Sequence, residues 1–145
     1  MFWINEKIAT ASVFEASFFP EKAAVITVVH LSEFWNPPEV IYQTIKAILP
    51  YLHNFPKTII CCAGGINRSN AVATTIIAFT ENLTWDDAYT IVKKKVPVAN
   101  VTYELKKACE EALNLLRKKL TKRCPICQAP IEEWETRCAL CWHKK

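Results

Sequence analysis

Apolar and polar positions along the 145 residues change period several times, and each change predicts an element. Residues 2–10 alternate loosely and predict a strand. Residues 13–23 predict a short helix or loop ending at Phe18-Phe19-Pro20. Ala24-Val25-Ile26-Thr27-Val28-Val29-His30-Leu31 is a continuous, largely β-branched run, the pattern of a strand covered on both faces. Asn36-Pro37-Pro38-Glu39 reads as a helix start, with Asn36 as N-cap, Pro37 at the first position and Glu39 completing a capping box. From there Ile41, Ile45, Ile48 and Leu52 recur on one face as far as about His53. Residues 57–62 predict a short buried strand, and residues 68–82 a buried helix. Thr84, with Asp87 three positions on, caps a further helix that ends by Val96-Pro97. A last helix runs from about 101 to 120, with Leu105, Ala108, Ala112, Leu116 and Leu120 on its apolar side. Strands separated by helices predict an α/β fold with a mainly parallel central sheet flanked by helices.

Composition changes abruptly after Lys122-Arg123, so residues 1–122 are expected to form the α/β unit and residues 123–145 a small separate module. A hydrophobic content of 51% supports a true core, and no run approaches the length of a membrane span. The opening Met1-Phe2-Trp3-Ile4-Asn5-Glu6-Lys7 lacks the basic-then-apolar order of a secretory signal, which leads us to expect an intracellular, cytoplasmic protein. In that setting seven cysteines point to metal binding or catalysis rather than to disulfides. Charge is uneven. Residues 1–92 hold five Lys/Arg against eight Asp/Glu, whereas residues 93–145 hold thirteen against six. A basic C-terminal third suits a solvated helix face with lysines at its C-terminal end, or contact with nucleic acid or an acidic partner.

Both glycines of the chain stand together in Cys61-Cys62-Ala63-Gly64-Gly65-Ile66-Asn67-Arg68-Ser69, between the predicted strand and helix. Strand, glycine loop and helix make an anion cradle, because successive backbone N–H groups and the helix N-terminus converge on one point. A thiolate is the attacking form of cysteine, and nearby positive charge favours it. Arg68 offers a planar fork for two oxygens of a phosphoryl group, and the amides of Ala63, Gly64, Gly65, Ile66, Asn67 and Arg68 can bind the rest. Attack by Cys62 would give a phosphocysteine that water then splits.

These residues resemble the signature loop of the cysteine-dependent protein tyrosine phosphatases, HCxxGxxR[ST], with Cys62, Gly65, Arg68 and Ser69 on motif positions. The dual-specificity branch is the nearest likeness. Leu83-Thr84-Trp85-Asp86-Asp87-Ala88-Tyr89, Val96-Pro97 with Asn100, and the opening Met1-Phe2-Trp3-Ile4 with Ile8-Ala9 also resemble it, over about residues 1–116. The resemblance implies that Cys62 is the nucleophile, Arg68 the phosphate clamp and Ser69 the hydroxyl that eases departure of the thiolate. Two features depart from it. The residue before the nucleophile, usually histidine, is Cys61, read either as a small apolar replacement or, with Cys109, as a thiol that caps an oxidised Cys62. The usual aspartic acid upstream of the loop is missing, since Asp86 and Asp87 both follow it. Glu33 and Glu39 lie in the right window. Glu39 is expected to be occupied by its capping box, which leaves Glu33 as the candidate general acid and His30 as a weaker stand-in. Only one clear strand lies between the first strand and Glu33, so a shallow, open pocket is expected. Such a pocket is compatible with phosphotyrosine, phosphoserine, phosphothreonine or an RNA 5′-phosphate end.

In the tail, Cys124-Pro125-Ile126-Cys127 and Cys138-Ala139-Leu140-Cys141 form two Cys-x2-Cys pairs ten residues apart, a spacing that resembles short zinc ribbons. Each pair can grip one edge of a tetrahedral Zn2+, with the hairpin between them closing a structural site. His143 is a substitute ligand of lower rank. So short a tail is expected to draw most of its folding energy from the metal. Together these features predict a protein phosphatase of dual-specificity type whose zinc tail recruits a protein or nucleic acid. The alternatives are a phosphate-binding pseudophosphatase and an RNA 5′-phosphatase.

Overall fold

The computed structural model describes residues 1–19 and 22–143. A four-stranded sheet lies at its centre, in the order β1 (Phe2–Trp3), β2 (Ile8–Ser12), β4 (Thr58–Cys62), β3 (Ala24–Thr27). β2 and β3 both run parallel to β4, and β1 is antiparallel to β2. The mainly parallel sheet is therefore as expected. β4 is buried along its whole length, and alternate side chains serve different layers. Ile60 and Cys62 enter the main core with α2 (Pro38–Asn54), α3 (Arg68–Thr80), α4 (Trp85–Lys95) and α5 (Tyr103–Lys119). Ile59 and Cys61 face a smaller cluster with Ala9, Ala11 and Ala16, the last from the short helix α1 (Val13–Ala16). Register brings Ser12 opposite Cys62 and Thr27 opposite Cys61, so the carboxyl ends of three strands meet where the glycine loop begins. Ligands of parallel sheets bind at that end.

The long helices follow their sequence patterns. Ile41, Ile45, Ile48 and Leu52 of α2 are buried, as are Leu105, Ala108, Ala112 and Leu116 of α5. Thr84 caps α4 by accepting from the Asp87 amide at 3.1 Å. Helix α3 is covered nearly all round from Ser69 to Ala78, and its Thr74 and Thr75 hydroxyls donate to carbonyls one turn back.

Several expectations need correction. Residues 2–10 form two strands, because the Asn5 side chain accepts from the amides of Lys7 and Ile8 at 2.8 Å and turns the chain back. The run 24–31 is not a doubly covered strand. β3 stops at Thr27, lies at the sheet edge and leaves Val25 51% exposed. β-Branched residues report a fit to a pleated surface, which an edge offers as well. Asn36 does not cap α2, whose N-cap is Pro37 with no side-chain bond. It is buried instead and clamps the preceding loop, accepting from the Ser32 amide at 2.8 Å and donating to the Ser32 carbonyl at 2.9 Å. Glu39, freed from any capping box, lies 3.3 Å from Lys119.

In the tail, β5 (Lys122–Arg123) and β6 (Pro130–Ile131) pair antiparallel and α6 (Ala139–His143) follows. The hairpin carries the first cysteine pair in its own turn rather than lying between the pairs. That turn is closed by Cys124 N to Ala129 O at 2.8 Å, with Gln128 at positive φ. The tail rests on α2. Tyr42 donates to Glu132 at 2.7 Å, and Lys46 meets Glu132 at 3.1 Å and Glu135 at 2.9 Å. Among the described residues no helix is long and apolar enough to cross a membrane.

Candidate active site

The loop after β4 is built around one thiol. Cys62 is buried, its Sγ 3.3 Å from Ser69 Oγ and 3.3 Å from the Gly65 amide nitrogen, which donates to it. Burial works against ionisation, but the Ser69 hydroxyl, the Ser69 and Gly65 amides and the Arg68 charge outweigh it. They hold the Cys62 thiol below its ordinary value. Gly65 sits at φ +70°, where a Cβ would come within 2.9 Å of the Ser12 nitrogen, so only glycine fits between the loop and β2. Gly64 has neither constraint, and a Cβ there would meet open space. The loop geometry therefore needs one of the two glycines.

Arg68 opens α3 and is 12% exposed. Its Nη1 donates to the carbonyls of Val29 and Leu31 at 3.0 and 3.1 Å, which pins the guanidinium beside the turn after β3. Its Nε is buried and has no partner among the described residues, and Nη2 has only a long contact, 3.8 Å, with Glu33. The Nε–Nη2 edge, which matches two oxygens of an oxyanion, is thus left for a ligand. Ala63, Gly64 and Ile66 are exposed, so the loop is open to solvent, in keeping with a shallow site.

The structure brings Glu33 to this loop. Its side chain is 59% exposed beside Arg68, and its main-chain carbonyl accepts from Asn67 Nδ2 and from Thr102 Oγ1, both at 2.7 Å. His30 is not part of the site; its ring lies 3.0 Å from the Thr44 hydroxyl of α2. Cys61 points to the opposite face of β4 from Cys62, packs with Ala9 and Ala11, and has its thiol pushed up by burial. Cys109 is wholly buried in α5, where burial raises its thiol to about 12. Both are core residues.

Sequence reasoning missed Asn70, which is fully buried and donates to the carbonyls of Gly65 and Ile66 at 3.0 and 2.9 Å while accepting from Thr10 at 2.7 Å. Asn70 thereby ties two loop carbonyls to the buried face of α3. The signal was an amide side chain in a helix that after Arg68 is otherwise made of small, apolar and hydroxyl residues. Sequence reasoning noted Asn100 only as part of the resemblance and missed that this segment meets the loop, where Asn100 N donates to Ile66 O at 3.0 Å and Thr102 N to Asn67 Oδ1 at 3.2 Å.

At the tail, the sulfurs of Cys124, Cys127, Cys138 and Cys141 all lie within 4.8 Å of one another, while His143 stands apart and exposed. Burial opposes ionisation of Cys124, yet the Cys127, Cys138 and Ile126 amides draw it down to about 6. Burial and the neighbouring thiols push Cys141 up to about 12. Four thiols that cannot all ionise together fit a metal ion, whose charge removes the conflict.

No protein-family model and no curated protein matches the sequence. Solved structures do match the fold. A mouse putative dual specificity phosphatase complexed with zinc tungstate has a TM-score of 0.68 and 14% identity, covering 81% of this chain and 88% of that one. Human DUSP28 has a TM-score of 0.66 and 13% identity over 81% of this chain and 99% of its own. A leucine rich repeat and phosphatase domain containing protein from Entamoeba histolytica has a TM-score of 0.66 and 14% identity, covering 81% and 92%. At such identities the likeness is one of architecture: the chain carries the dual-specificity phosphatase fold.

Proposed function

We propose that this protein is a cysteine-dependent phosphatase that hydrolyses phosphomonoesters of tyrosine, serine or threonine in proteins. The observation that carries the reading is one thiol held by the Ser69 hydroxyl and the Gly65 amide, next to an arginine whose Nε has no partner among the described residues and whose Nη2 makes only a long contact, 3.8 Å, with Glu33. In the first step the Cys62 thiolate attacks phosphorus. The ester P–O bond breaks, Glu33 gives its proton to the leaving oxygen, and Arg68 with the amides of residues 63–68 binds the three phosphoryl oxygens. In the second step Glu33 takes a proton from water as it attacks the phosphocysteine, and the S–P bond breaks. The thiolate leaves with a hydrogen bond from Ser69. Cys124, Cys127, Cys138 and Cys141 would hold a structural Zn2+ with no open coordination position, so the tail takes no part in the chemistry. Its exposed Ile126, Trp134 and Trp142, beside the basic C-terminal third, are where a protein or nucleic acid would be recruited. A reducing, cytoplasmic setting suits seven free thiols.

A second reading, phosphate binding without turnover, is favoured by the exposure of the Glu33 side chain, whose carboxyl has no hydrogen bond among the described residues and only a long contact, 3.8 Å, with Arg68. Turnover of a phosphotyrosine peptide by the wild type, abolished in Cys62→Ser and reduced in Glu33→Gln, supports the enzyme. Vanadate binding with no turnover supports the second reading. Faster release of phosphate from 5′-triphosphorylated RNA than from phosphopeptides would make the substrate an RNA end.

A further inference from the structure

Among the described residues four helices begin with a side chain suited to N-capping, and two of them, α1 at Ser12 and α4 at Thr84, use it for that. Thr84 has extended backbone (φ −66°, ψ 157°), and its hydroxyl accepts from the Asp87 amide of its own helix. Thr102, at the start of α5, has nearly the same backbone (φ −64°, ψ 152°) but makes no side-chain cap. Its hydroxyl donates to the Glu33 carbonyl, 69 residues away in sequence, at 2.7 Å. Asn67, at the start of α3, makes no side-chain cap either. Its Nδ2 donates to the same carbonyl at 2.7 Å, and its Oδ1 accepts from the Thr102 amide at 3.2 Å.

Capping hydroxyls and amides normally satisfy the free amides of the first helical turn. Two of them are diverted here to one acceptor, whose two lone pairs are thereby filled. The segment they hold is closed from its other end by the Asn36 side chain on Ser32 and by the Phe34 amide on the Ser32 hydroxyl at 3.1 Å. A solvent-exposed carboxylate would otherwise be free to wander; this arrangement fixes its backbone at the loop mouth.

We infer that Asn67 and Thr102 are positioning residues for the general acid, latching the Glu33 carbonyl so that its carboxyl reaches the leaving oxygen. The inference rests on the phosphatase reading and on Glu33 as the acid. Proton donation matters for a poor leaving group and little for a good one, so the readout is the ratio of turnover on phenyl phosphate to that on 2,4-dinitrophenyl phosphate.

Thr102→Val should lower kcat on phenyl phosphate about 10-fold, a part of the roughly 10²–10⁴-fold that a general acid contributes, and leave the dinitrophenyl ester within about 2-fold. Inhibition by inorganic phosphate should be unchanged, and Thr102→Ser, which keeps the donor, should restore the ratio. Asn67→Ala should lower the same ratio. Parallel loss on both esters in the two variants, while Glu33→Gln is selective for phenyl phosphate, overturns the latch alone. Parallel loss in Glu33→Gln itself shows that Glu33 is not the acid and removes the proposal together with the reading beneath it.

Discussion

Cys62 and Cys124 are both buried free thiols at the turn after a strand, yet their surroundings prepare them for opposite partners. Around Cys62 stand N–H donors, a hydroxyl and an arginine whose Nε is unpartnered among the described residues, an electropositive setting that draws the sulfur toward thiolate and suits an anion. Around Cys124 stand three more cysteines, a donor set that could hold a cation. The first site is open to solvent and suited to turnover, whereas the second is closed and suited to holding structure. Neighbours, not residue type, decide what a buried cysteine is for.

The largest effect that separates the two sites comes from removing each thiol. Cys62→Ser should lower turnover by about 10⁴-fold or more with metal content unchanged. Cys124→Ser should lose the metal, counted by elemental analysis at one ion per chain in the wild type, while turnover survives. Equal loss of turnover from both would show the two regions to be one functional unit.

A smaller effect sharpens the reading of the loop. Gly65→Ala should destabilise the protein by about 1–3 kcal/mol in denaturant titration and impair phosphate binding, because its Cβ meets the Ser12 nitrogen at positive φ. Gly64→Ala should do neither.

Ser69→Ala removes a donor to the Cys62 thiolate, so its thiol should rise toward the ordinary value. Alkylation of the Cys62 peptide by iodoacetamide, followed against pH, should then need a higher pH than in the wild type. The smallest effect lies where the regions touch. Tyr42→Phe leaves Glu132 one donor short and should cost about 1–2 kcal/mol of stability, with activity intact.

Local periodicity revealed most of the scaffold. The faces of α2 and α5 and the Thr84 cap depend on residues three or four apart, and the buried β4 and the signature loop are contiguous. The misreadings share another cause. Asn36 reads as a helix cap in sequence but spends its side chain on Ser32, and the side-chain bonds of Asn67 and Thr102 have no reading there at all. Asn67 and Thr102 reach Glu33, 34 and 69 residues distant. Such long-range bonds leave no periodic trace. Likewise, one of two adjacent glycines is demanded because its φ is +70° and β2 lies against it. The edge position of β3 depends on strand order, which composition does not encode.

The central claim is that Cys62 carries the phosphoryl group between the two steps. Acid quenching during turnover of a phosphotyrosine peptide, followed by mass spectrometry of the peptide that contains Cys62, tests it directly. The expected result is one phosphate on Cys62, absent in Cys62→Ser. Turnover that persists in Cys62→Ser, with no phosphate trapped on the wild-type peptide, would contradict it.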